Sequence, residues 1–206
     1  MKTFELKAQL RSADEVGKKA SKSIRKGGLI PAVLYGGEET MHLTVTEDDV
    51  RNLIYTPEIF VIDLNIDGKS CKAVLKDLQF HPVTDKVLHM DFLQVFDNKP
   101  IVMNVPIVLD GYAIGVKAGG KLTREKRTLK VKAVYTEIPE KLHINVSKLR
   151  LGKTIQIHQL SFEGLQLMDA PNAVVCAVKL TRAARGKGAA AVVIEEEEEE
   201  DEAAEA

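Results

Sequence analysis

Tryptophan is absent from this 206-residue chain, and aromatic residues make up only 5% of it, so a core has to be built mostly from Val, Ile, Leu and Ala. Long apolar runs are missing too. The longest, such as residues 173–178, have six residues. A membrane-spanning helix needs roughly 20, so no membrane partner is expected. Behind Met1-Lys2-Thr3-Phe4-Glu5 there is no apolar stretch of the kind a secretory signal carries. Cysteine is scarce: Cys71 and Cys176 have no companion at metal-ligand spacing, which fits two reduced thiols in a cytoplasmic protein. The five histidines show neither HxxxH nor HExxH spacing, so no metal is expected. Gly115-Val116-Lys117-Ala118-Gly119-Gly120 lacks the GxxxxGK[ST] spacing, because Leu122-Thr123 follow Lys121, and it reads as a loop between strands. No two carboxylates stand out as acid and base. The expectation is a protein that is not an enzyme, with no cofactor and no small-molecule substrate.

Net charge is nearly absent as well, at −1, but this is a cancellation. Residues 195–206 hold nine acids and no base, whereas residues 97–194 hold 16 bases against 7 acids. Residues 1–28 hold eight bases against three acids. Two positive regions and an acidic tail share one neutral-looking chain, and clustered positive charge is the footprint of a polyanion binder.

What is present in abundance is alternation. Phe4, Leu6, Ala8 and Leu10 alternate with polar residues and predict a half-buried strand. Gly17 to Lys26 is polar and basic and ends in Gly27-Gly28, which predicts a short helix or a loop. Strands are expected at residues 32–35, 41–45, 60–66, 71–75 and 88–92, with Asp67-Gly68 as a tight hairpin. Thr46 followed by Asp49 predicts a capped helix that ends before Pro57. The fold class is mainly β: residues 1–96 as a six-stranded barrel with one or two short helices, and residues 97–182 as a second all-β domain. Its strands are expected at 101–109, 129–134, 142–146, 155–160 and 173–180. The Ala- and Glu-rich residues 183–206 predict a disordered acidic tail.

Two segments carry candidate chemistry. Arg11 and the run containing Lys18, Lys22, Arg25 and Lys26, followed by Ile30-Pro31-Ala32-Val33-Leu34-Tyr35-Gly36-Gly37, combine phosphate-binding side chains with glycines that permit close approach. Composition alone leaves this as either a nucleic-acid contact or a solvated basic loop. In Val87-Leu88-His89-Met90-Asp91-Phe92, strand alternation puts His89 and Asp91 on one face, roughly 6–7 Å apart. They read as a donor and an acceptor for a ligand lying on the sheet, or as an ordinary polar face.

At Gly17-Lys18, Ile24-Arg25-Lys26-Gly27-Gly28, residues 30–37, Lys76-Asp77-Leu78-Gln79-Phe80-His81-Pro82-Val83 and Leu88-His89-Met90-Asp91-Phe92, the chain closely resembles the bacterial large-subunit ribosomal protein twenty-five family, in its long form, also known as general stress protein CTC. Gly115 to Gly120, Ile138-Pro139 and Val146-Ser147-Lys148-Leu149 resemble that family's C-terminal domain. The resemblance implies a cytoplasmic, ribosome-associated protein that binds 5S ribosomal RNA in the central protuberance, beside neighbouring ribosomal proteins. It implies an N-terminal fold like part of the anticodon-binding region of glutaminyl-tRNA synthetase. The family's RNA-contacting positions fall on Arg11, Arg25, Lys26, Tyr35, His89 and Asp91. Lys18 and Lys22 join them as phosphate contacts in the mechanism the resemblance suggests. Lys26 stands where Arg is frequent, which keeps charge but loses the bidentate fork. Two other classes stay open from the residues alone: an RNA- or protein-binding regulator off the ribosome, and an enzyme.

Overall fold

The computed structural model describes residues 2–12, 15–37 and 39–181. The expected tail, 183–206, lies outside the described residues. The chain divides into two compact units: Met1–Pro106 with Lys130–Lys141 and Gly164–Gln166, and Ile107–Leu129 with Leu142–Glu163 and the described residues from Leu167.

The first unit contains a closed six-stranded barrel. Its elements are β1 (Lys2–Leu10), α1 (Lys18–Lys26), β2 (Leu29–Tyr35), β3 (Met41–Thr46), α2 (Glu47–Ile54), β4 (Phe60–Ile66), β5 (Lys69–Phe80) and β6 (Val87–Gln94). The strand order is β1-β3-β2-β6-β5-β4. Closure comes from a parallel pairing of β1 and β4 that runs from Lys2 opposite Phe60 to Ala8 opposite Ile66. Closing the sheet leaves no unpaired edge. The alternating apolar residues point inward: Leu6, Leu34, Leu43, Ile62, Leu64, Met90 and Phe92 are each at most 1% exposed.

Local chemistry explains the connections. Asp67 (φ 46°) and Gly68 (φ 89°) take the left-handed pair of conformations that a type I′ hairpin requires. Pro31 lies inside β2, a position that removes a ladder donor. The parallel pairing of β2 with β6 begins only at Ala32 opposite Met90, so Pro31 sits where β2 is paired to β3 alone. The expected cap at Thr46 is not made. Thr46 is the residue before α2, but its side chain forms no capping hydrogen bond, and the helix begins with Glu47, Asp48 and Asp49, whose charges suit the positive end of its dipole. Around the barrel rim, Lys72 Nζ hydrogen-bonds to the Tyr135 hydroxyl at 3.2 Å, and that hydroxyl donates to Asp97.

The remaining strands are β7 (Ile101–Asp110), β8 (Lys121–Arg124), β9 (Thr128–Ala133), β10 (Leu142–Asn145), β11 (Thr154–Gln156), β12 (Gln166–Leu167) and β13 (Val174–Lys179), with one turn of helix, α3 (Ile114–Lys117), after β7. They form a four-stranded sheet, β10-β7-β9-β12, and a three-stranded sheet, β11-β13-β8. The strand expected at 155–160 is shorter. After β11, residues Ile157–Gln159 turn into a 3-10 helix held by reciprocal side-chain bonds between Gln156 and Gln159.

Candidate nucleic-acid interface

Helix α1 is amphipathic, with a cationic rather than an apolar ridge. At 3.6 residues per turn, Lys18, Lys19, Lys22, Arg25 and Lys26 fall within an arc of roughly 120°. All five are exposed, while Ala20 and Ile24, toward the other side, are half-buried. The helix stops because Gly27 N–H bonds back to Ser23 and Ile24 carbonyls, and Gly28 then takes φ 75°, a left-handed conformation that a glycine adopts without strain. Arg25 fastens the helix to the barrel: its Nε donates to the Leu88 carbonyl of β6 at 2.9 Å. Its terminal nitrogens make no further hydrogen bond among the described residues.

The sheet beside α1 presents the polar residues of β2, β6 and β5. Val33 pairs with Asp91, and Tyr35 with Leu93, across the β2–β6 ladder. On the other side of β6, Asp91 pairs with Asp77 and His89 with Gln79. Because Ala32, Leu34, Met90 and Phe92 point into the core, these residues face outward. Tyr35 is drawn into the same cluster. Burial pushes its hydroxyl above the ordinary value of 10.0, and the carboxylates of Asp91 and then Asp77 push it further. The phenol therefore keeps its proton and can both donate and accept.

His89 and Asp91 do not stand apart as independent donor and acceptor. Their side chains lean together, and His89 Nδ1 lies 2.7 Å from Asp91 Oδ1. Residues two apart on one strand face share a side and can lean along it. If Nδ1 carries the proton, Asp91 fixes the ring and leaves Nε2 and the second carboxylate oxygen as the groups available to a ligand.

Arg11 is placed differently from the other basic residues. It lies just beyond β1, is 8% exposed, and its Nη2 donates to the Glu15 carbonyl. Its Nε is buried with no hydrogen-bond partner among the described residues. The structure thus groups Lys18, Lys22, Arg25 and Lys26 on α1, groups Tyr35, His89 and Asp91 on the adjoining sheet face, and buries Arg11. Asp77 and Gln79 belong to that face as well. The sequence reading missed them because a bulge at Lys76 shifts the β5 register between Leu75 and Asp77. The tight Gly36-Gly37 exit from β2 completes the site. Gly36 takes φ 97°, which an L side chain adopts only with strain, and a Cβ there would also lie 2.7 Å from Leu93 Cδ1 and 3.3 Å from the Gln94 carbonyl.

The result is a cationic ridge beside a patch rich in hydrogen-bond acceptors. Such segregation matches a ligand whose charge and hydrogen-bonding groups are also separated. Comparisons with known proteins agree with that class. Residues 6–92 match the ribosomal L25p family, and residues 100–182 match the C-terminal domain of ribosomal protein TL5. The chain is 65% identical over 188 residues to the large ribosomal subunit protein bL25 of Porphyromonas gingivalis, covering 90% of this chain and 97% of that one. It is 62% identical over 191 residues to bL25 of Parabacteroides distasonis, with coverage of 90% and 97%. It is 58% identical over 193 residues to bL25 of Bacteroides thetaiotaomicron, with coverage of 92% and 98%. The chain belongs to the ribosomal L25p family, whose members of this kind are structural proteins of the large ribosomal subunit rather than enzymes.

Proposed function

We propose that this protein is a structural constituent of the bacterial large ribosomal subunit that binds 5S ribosomal RNA in the central protuberance, through a domain comprising residues 1–96. Residues 97–182 form the second domain in this reading. The observation that carries it is the Arg25–Leu88 bond, which sets the α1 cations beside the face holding Tyr35, His89 and Asp91. A-form RNA exposes a wide, shallow minor groove lined with 2′-hydroxyls and flanked by phosphates. Lys18, Lys22, Arg25 and Lys26 take the phosphates and set register. Tyr35 and His89 exchange hydrogen bonds with 2′-hydroxyls and base edges. Asp91 is repelled by phosphate, so it accepts only from hydroxyl or amino groups and serves discrimination more than affinity. Arg11, buried with its Nη2 bonded to the Glu15 carbonyl, supports the segment leading into α1 rather than the phosphate grip.

A footprint of the full-length protein on isolated 5S RNA tests this. Protection of one continuous helix minor groove, lost on neutralising Lys18, Lys22 and Arg25 together, is expected. Equal protection of an unrelated RNA helix, or a footprint unmoved by those substitutions, overturns it.

A further inference from the structure

The second compact unit carries a cationic surface that the barrel reading does not use. Its described residues hold nine Lys and Arg against four acids: Asp110, Glu125, Glu163 and Asp169. Three of those acids are already engaged, Asp110 with His143 at 2.8 Å, Glu125 with Lys179 at 2.7 Å and Asp169 with Lys126 at 2.7 Å. Lys117, Lys121, Lys148, Arg150 and Lys153 are exposed and make no ion pair among the described residues.

The backbone brings four of these, Lys117, Lys148, Arg150 and Lys153, onto neighbouring segments. Ile114 N–H bonds to the Ser147 carbonyl at 3.3 Å and Gly115 N–H to the Leu149 carbonyl at 2.9 Å, which lays α3 against the segment bearing Lys148 and Arg150. A Cβ on Gly115 would lie 2.6 Å from the Leu151 nitrogen, so the approach requires glycine. Gly120 N–H closes on the Gly115 carbonyl at 2.8 Å, while Lys121, paired with Lys179 in the β8–β13 ladder, faces away from Val178. On that same strand Val178 accepts from Gly152 at 2.9 Å and donates to Lys153 at 3.1 Å, which carries Lys153 to the same end. Gly115 thus lets the helix that carries Lys117 approach the segment bearing Lys148, Arg150 and Lys153. Crowding unpaired cations is unfavourable in isolation and is relieved by a polyanion with repeating charge.

We infer that the surface formed by Lys117, Lys148, Arg150 and Lys153 is a second docking site for the phosphate backbone of an RNA helix. It has none of the clustered acceptors seen on the barrel face, so it contacts phosphates without reading sequence. This goes beyond the barrel's binding of 5S RNA and does not depend on which RNA the barrel holds.

The test uses full-length protein and, as probe, a mixed-sequence RNA duplex of about two helical turns. A barrel variant, Lys18→Ala/Lys22→Ala/Arg25→Ala, should retain salt-dependent duplex binding. Adding Lys117→Gln/Arg150→Gln/Lys153→Gln should remove it, with the salt slope falling by about two units. Circular dichroism checks the fold, and the charge-keeping Arg150→Lys should restore part of the binding. The inference is overturned if the barrel variant alone abolishes duplex binding, or if the residual binding survives neutralisation of the patch. It is also overturned if the patch variant keeps duplex binding yet dissociates from large subunits, which assigns the surface to a protein. Failure of the barrel reading is separate: it shows as 5S binding undiminished in the barrel variant.

Discussion

Arg25 and His89 lie at the two halves of the proposed interface, and replacing each with Ala separates phosphate positioning from recognition. Arg25→Ala removes one phosphate contact and one structural bond. A phosphate contact contributes close to one unit to the slope of log K against log salt, so the slope should fall by about 0.7–0.9. The lost Nε–Leu88 bond is solvent-exposed. It should cost only about 0.5–1 kcal/mol of stability, at the low end for such bonds. Arg25→Lys should restore the slope but not the fastening, because an ammonium cannot aim a fork at the carbonyl and a phosphate together. His89→Ala acts otherwise. It leaves the slope unchanged and frees Asp91 from its 2.7 Å partner. An unpaired carboxylate then faces the RNA, and preference for 5S over other RNA should fall by about 1–3 kcal/mol, the range for a lost polar contact with its partner left behind. Filter binding of full-length protein to 5S RNA and to an unrelated helix, across a salt series, reads both quantities. Equal slope changes for the two variants, or equal loss on both RNAs, would refute the division of labour.

Three further outcomes are expected. Gly36→Ala, forced to φ 97° with its Cβ 2.7 Å from Leu93 Cδ1, should lower stability by about 2 kcal/mol in thermal denaturation, and an unchanged melting temperature would contradict the packing. Glu58 is held below its ordinary 4.5 by its hydrogen bond with Lys2, and Lys2 is raised above 10.5 by the same bond, so the pair's stabilisation should fade as pH falls below 4.5 or rises past 10.5. Glu58→Gln should erase both edges of that profile in denaturant titrations. Ending the chain after Gly188 removes nine carboxylates that lie outside the described residues. It should raise affinity for unrelated RNA at low salt, with the gain vanishing at high salt.

Period-two alternation made the barrel legible. β1, β3, β4, β6 and the first half of β5 appear where apolar residues alternate, β2 is a continuous apolar run, β5 continues past the expected 71–75 to Phe80, and the Asp67-Gly68 turn has the backbone its sequence demands. Features set by tertiary context were not legible. Thr46 has the right chemistry for a cap, yet its hydroxyl makes no capping bond. The Lys76 bulge shifts the register of β5, and with it Asp77 and Gln79, in a way that simple alternation does not show. The basic count of residues 1–28 pointed to a polyanion, but a count weighs each charge equally. Arg11 and Arg25 are the same residue type fourteen positions apart. One is buried against the Glu15 carbonyl and the other stands on an exposed ridge. What distinguishes them is where the chain turns. Arg11 follows directly on the end of β1, its backbone N–H still bonded to the His42 carbonyl at 2.9 Å, and its side chain is buried with Nη2 on the Glu15 carbonyl. Arg25 lies in the last turn of a helix, where the cation suits the dipole and the residue stays exposed while its Nε bonds the Leu88 carbonyl. A charge contributes to binding only if the backbone leaves it at the surface, so the proposed phosphate grip rests on α1 rather than on the whole basic segment.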